Sequence, residues 1–175
     1  DNFSENVFKQ QTTAPFEVKN SSYRVVPFNY QSPLHHDRIL ISNPYHPAAS
    51  PKGWHDINAL NQNNPDDLFT ITRGNNVIAV DDWDGDNSDG TAADGTASLS
   101  FDFPYAGTGV AAENSVNASL TNLFYMNNML HDIWYHYGFD EASGNFQHTN
   151  YTETGLGIDA VYAQTQDRGQ TSDQG

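Results

Sequence analysis

The chain has 175 residues, enough for one domain with a sizeable core. Its 22 acidic and 7 basic residues give a net charge of −15, which repels phosphate backbones and anionic lipid, so neither nucleic acid nor a membrane surface is an expected partner. Aromatic residues at 13% argue against disorder, and the absence of cysteine removes disulfides, thiolate metal sites and cysteine nucleophiles.

Residues 1–20 are polar with scattered Phe and Val, and read as a lead-in or linker. The first strand signal is SYRVVPFN, residues 22–29, where Tyr23, Val25 and Val26 favour β structure and Pro27 ends the run. A proline-punctuated passage follows, with a short apolar strand at 39–41 and a turn, KGWH at 52–55, that leads into a packed Trp54. Residues 69–80, FTITRGNNVIAV, predict a hairpin whose turn, Gly74-Asn75-Asn76, can adopt positive φ. Residues 81–95 form an acidic Gly/Asp loop, and LSFDFPY at 99–105 is strand-like until Pro104.

The longest element is a helix over 117–138, capped by Ser115 or Asn117 and stopped by Gly138. Its apolar residues, from Leu120 through Phe124 and Leu130 to Trp134, fall at spacings of three and four. They cover more than half the circumference, which predicts a largely buried helix. A helical turn at 140–143 ends at Gly144, a last strand runs over 158–164, and the tail is loop-like. No apolar run approaches the roughly 20 residues of a membrane span. The polar ends suit a piece excised from a longer precursor.

Chemistry is sparse. His131 and His136 stand five apart, about 140° out of phase on a regular helix, and cannot share one metal. The structural role is the expected one for His131. His35, His36, His46 and His55 show no metal-ligand spacing. There is no GxSxG, no Ser-Lys pair and no phosphate-binding Gly-rich loop, and nothing singles out a carboxylate pair for glycoside hydrolysis. The acidic loop is more suggestive. Asp82, Asp84 and Asp86 alternate and Asp89 follows, a pattern that suits calcium's demand for six to eight oxygens. The EF-hand pattern is incomplete, because Asn87 stands where the turn glycine belongs and no Glu closes the loop. A solvated acidic loop is the alternative.

Four segments, SPKGWH at 50–55 behind the first strand, TITRGNNVIA at 70–79, LFYMNNMLHDIWYHYG at 123–138 and FDEASGNFQ at 139–147, occur in an order and spacing that resembles the fungalysin metallopeptidases. The resemblance covers about residues 20 to 165 and implies a secreted, extracellular zinc endopeptidase with a thermolysin-like fold. Such enzymes take two zinc ligands and a general base from HExxH and a third ligand from a later Glu. No HExxH occurs in these 175 residues. His131, Asp132, Arg73 and Asn145 match a scaffold motif, so no catalytic residue or zinc ligand carries over. Asp167-Arg168-Gly169-Gln170 also departs from the family's usual Asp-Gly-Ser-Gly.

The expectation is therefore an α+β fold, a twisted, mainly antiparallel sheet with one long buried helix. It would be the N-terminal subdomain (residues 21–175) of a thermolysin-like peptidase, with residues 1–20 the end of a propeptide or a linker. Zinc ligands would lie outside the chain, and calcium is a possible second cofactor. The expected partners are the remaining catalytic region, the propeptide, and protein or peptide substrates. The chain alone should be inactive. The rival reading is an extracellular, calcium-stabilised β-rich binding or structural module.

Overall fold

The computed structural model describes residues 18–88 and 90–169. Residues 1–17, most of the expected linker, lie outside them, as does Asp89. Strand β1 (Ser22–Val25) turns Tyr23 and Val25 inward, both fully buried, as the period-2 pattern requires. It pairs antiparallel with β2 (Ile39–Ser42) and parallel with the two-residue β4 (Ser100–Phe101). A second sheet joins β3 (Val77–Asp81) to β5 (Val161–Thr165) in parallel, with Val77 opposite Val161 and Asp81 opposite Thr165. Three further antiparallel bridges, Asp56–Leu68, Ile71–Asp94 and Arg73–Ile78, stitch the loops. The one long helix among the described residues, α1 (Val116–His136), packs on β1, β3 and β5. The fold is α+β, as expected.

The 69–80 run does fold back on itself, but only half of it becomes strand. Gly74 N–H donates to Val77 O at 2.9 Å and Ala79 N–H to Thr72 O at 2.8 Å. None of Gly74, Asn75 or Asn76 takes the positive φ that the hairpin reading allowed. Gly74 is required for a different reason. A Cβ there would lie 1.6 Å from the Trp54 carbonyl oxygen. Strand β5 also starts later than its sequence suggests, because Ile158 sits at φ +66 and is 83% exposed.

The core is aromatic. Tyr23, His55, Phe101 and Phe124 stack, with His55 5.1 Å from Phe101 and 4.8 Å from Phe124 between ring centroids. His55 Nδ1 lies 3.1 Å from Arg73 O, which can only accept, so Nδ1 carries the proton and Nε2 accepts from Tyr23 Oη at 2.7 Å. Burial pushes the His55 pKa down to about 4. Its folded pKa lies below the ordinary value of 6.5, so the unfolded chain binds the proton first as pH falls. The stabilising contribution is complete above pH 6.5 and is lost between pH 6.5 and 4. The loss should reach about 3 kcal/mol at 1.36 kcal/mol per pH unit. Urea unfolding at pH 7 and pH 4.5 should show it, and His55→Gln should flatten that part of the profile.

α1 ends as predicted. Gly138 takes φ +93, and Phe139 N–H donates back to Trp134 O at 3.0 Å, a Schellman closure. Its start differs. A 3-10 turn, Ala112–Ser115, leads in, and Ser115 Oγ accepts from Ala106 N–H instead of capping α1. The expectation of a largely buried helix holds only for its first half, where Ala118, Leu120, Phe124 and Tyr125 are buried. In the second half Leu130 is 40% exposed and Trp134 54%, while the face turned inward carries Asn128 and Asp132. The wide apolar stripe is two faces: one enters the core, and the other looks outward.

Candidate functional site

The inward polar face of α1 meets the loops that carry the quoted motifs. The Asp132 carboxylate, 4% exposed, accepts four hydrogen bonds, two on each oxygen. Ser50 Oγ (2.7 Å) and His131 Nδ1 (3.0 Å) reach Oδ1. His46 N–H (2.8 Å) and Trp54 Nε1 (3.1 Å) reach Oδ2. Asn76 Nδ2 extends the network to Ser50 Oγ and to Asn128 Oδ1, both at 3.1 Å. Asn75 holds the far loop in strand-like fashion, accepting from Thr149 N–H at 2.8 Å and donating to Thr149 O at 3.0 Å.

Below α1, the 3-10 turn Glu141–Ser143 ends at Gly144 in the left-handed region, φ +81. It buries Glu141, which accepts from Tyr151 N–H and Thr152 N–H, both at 2.6 Å, and from Gln147 Nε2 at 3.2 Å. Gln147 Oε1 faces His131 Nε2 at 3.2 Å, so the two carboxylate centres are joined through His131 and Gln147. The HD pair and the buried Asn145 and Gln147 of the GNFQ segment thus form one scaffold.

On the outward side, Leu130, Trp134, Phe139, Phe146 and Val161 line an apolar cleft of about 360 Å³. His131 and Asn76 stand at its wall, and Asn76 Oδ1 is buried with no hydrogen-bond partner.

Zinc wants three or four nitrogen, sulfur or carboxylate ligands around one point. The described residues do not fit it. His131 has both ring nitrogens engaged. The His136 ring lies edge-on to His46, with centroids 4.0 Å apart. His55 is locked in the core. The one group of three His, Asp or Glu residues able to hold a metal among the described residues is Asp82, Asp84 and Asp86. Their oxygens lie within 4.8 Å of one another, an all-carboxylate donor set that suits calcium and not zinc.

The alternating pattern therefore does converge in space. Gly85 at φ +70 and Asn87 at φ +60 curl the loop so that every second residue points to one side. Asp82 is 1% exposed, which its sequence position did not reveal. Asp84 and Asp86 are exposed, and Asp86 accepts from Ser88 N–H at 2.7 Å. The Ser88 hydrogen bonds hold the Asp86 carboxyl below its ordinary range.

The family model described as fungalysin metallopeptidase (M36) matches residues 22–174. An extracellular metalloproteinase of Pyrenophora tritici-repentis is 36% identical over 150 residues, covering 85% of this chain and 22% of that protein. Extracellular metalloproteinase 1 of Arthroderma gypseum is 36% identical over 152 residues, covering 86% and 23%. Extracellular metalloproteinase MEP of Leptosphaeria maculans is 33% identical over 151 residues, covering 85% and 23%. The chain spans less than a quarter of the length of these curated relatives.

Proposed function

The chain belongs to the fungalysin metallopeptidase (M36) family, and from that premise we propose that it is the N-terminal part of the catalytic region of a secreted zinc endopeptidase acting on proteins. It forms one wall of the catalytic cleft. The zinc ligands and the general base come from sequence other than these 175 residues, and residues 1–20 are the end of a propeptide or a linker. Secretion is supported by relatives that are named extracellular, and no helix among the described residues is long and apolar enough to cross a membrane. The observation that carries the reading is the buried scaffold around Asp132. There the quoted motif segments support one another, and the His131 ring is spent on that support.

The outward face of α1 favours one partner. Leu130, Trp134, Phe139 and Phe146 are each more than a third exposed. An apolar cleft of this kind marks an interaction surface. More than three-quarters of each relative's length lies outside the matched part, so the remaining catalytic region is the occupant proposed. Trp134→Ser should lower the melting temperature of the whole protein by several degrees while moving that of this chain alone by no more than about a degree. Equal shifts in both would remove the cleft from the interface.

The chain by itself, supplied with zinc and calcium, should release no peptides from casein. Release that a chelator abolishes would overturn the division of labour proposed here.

A further inference from the structure

The acidic loop has no place in that scaffold, yet it holds the least satisfied group among the described residues. Both Asp82 side-chain oxygens are buried and neither has a hydrogen-bond partner. An ionised carboxylate taken out of water without donors or a counter-charge is strongly disfavoured. Asp81 does not share the problem, because its carboxylate accepts from Thr91 N–H and Thr91 Oγ1. Asp82 instead faces Asp84 and Asp86, whose oxygens add charge of the same sign within 4.8 Å. Three converging carboxylates, one buried and bare, are a donor set for a hard cation.

We propose that Asp82, Asp84 and Asp86 hold a calcium ion that clamps the end of β3 to the turn following β5. The clamp is visible in the backbone. Asp82 N–H donates to Thr165 O at 3.1 Å, and Asp82 O accepts from Arg168 N–H at 2.9 Å. These bonds carry the β3–β5 pairing one step past the ladder. The turn packs on the loop so closely that a Cβ on Gly169 would lie 2.2 Å from the Trp83 ring. Fixing the Asp82 side chain therefore fixes residues 165–169 as well. Calcium suits the loop better than magnesium, which needs near-ideal octahedral geometry and gives up its waters reluctantly. The site resembles extracellular calcium modules in its few ligands and partial exposure, which places its dissociation constant at about 10⁻⁴ to 10⁻³ M.

Trp83 supplies the readout. Terbium added to the chain should give saturable luminescence sensitised by Trp83. Calcium should quench it competitively, and magnesium at the same concentration should not. Asp84→Asn, an exposed change that leaves the core untouched, should weaken terbium and calcium binding at least tenfold. It should also clearly reduce the rise of several degrees in melting temperature that about 10 mM calcium gives the unaltered chain. Asp82→Asn tests the buried group separately. Without calcium it should melt no lower than the unaltered chain, since it removes a buried carboxylate that no hydrogen-bond donor satisfies, and with calcium it should melt lower. The proposal is overturned by emission that does not saturate, by emission that survives Asp84→Asn, by equal competition from magnesium, or by an Asp82→Asn chain that still gains stability from calcium. Any of these would mean diffuse attraction to a polyanion.

Discussion

Asp132→Ala is expected to destabilise the chain by about 4 kcal/mol, near the top of the range for breaking a buried charged network. The reason is the number of donors left behind. Ser50 Oγ, His46 N–H, Trp54 Nε1 and His131 Nδ1 all converge on one carboxylate. Each donor left unsatisfied in a buried setting costs about 1–3 kcal/mol, and water entering the vacated space recovers part of the sum. Asp132→Asn keeps one acceptor oxygen and should cost roughly half as much. Urea unfolding of the three proteins at pH 7 measures both. A loss below about 1 kcal/mol for the alanine variant would mean that the motif segments are held by apolar packing alone.

Glu141→Ala should follow at about 3–4 kcal/mol, with a different signature. Glu141 accepts from the backbone of Tyr151 and Thr152 and from both Thr152 Oγ1 and Gln147 Nε2. These bonds fold residues 147–157 back beneath α1, where a Cβ on Gly155 would lie 2.1 Å from Glu141 O. Losing the carboxylate should free that loop before the rest of the chain unfolds. Limited proteolysis should cut within 147–157 faster in the variant than in the unaltered chain, under conditions where α1 is still intact by circular dichroism. Glu141→Gln presents a donor to backbone N–H groups and should behave more like the alanine variant than like the parent. A variant whose loop is cut no faster would show that Glu141 is not what holds it.

What could be read from the sequence was local. The period of Tyr23 and Val25, the helix spacing from Leu120 to Phe124, and the stops at Gly138 and Gly144 depend on neighbours within a turn or two. The alternation of Asp82, Asp84 and Asp86 was legible for the same reason, and their side chains do meet. The rest depends on distant partners. β3 finds β5 some eighty residues later, so the 69–80 run looked like a self-sufficient hairpin. His55 looked like one more loop histidine, but its neighbours are Tyr23, Phe101 and Phe124. The apolar width of α1 suggested burial because periodicity cannot separate a core face from an apolar face that stays exposed in this chain. The spacing of His131 pointed to a structural role, but the partners of Asp132 were not legible, because three of its four donors come from residues 46–54, some eighty residues earlier in the chain.

As the proposed scaffold wall of a peptidase, this chain should hold no catalytic metal. Zinc content measured after equilibrium dialysis, with calcium at about 1 mM to fill the acidic loop, tests it most directly. The expected result is no stoichiometric zinc and no dependence on His131. One equivalent of tightly held zinc, lost on His131→Ala, would contradict it.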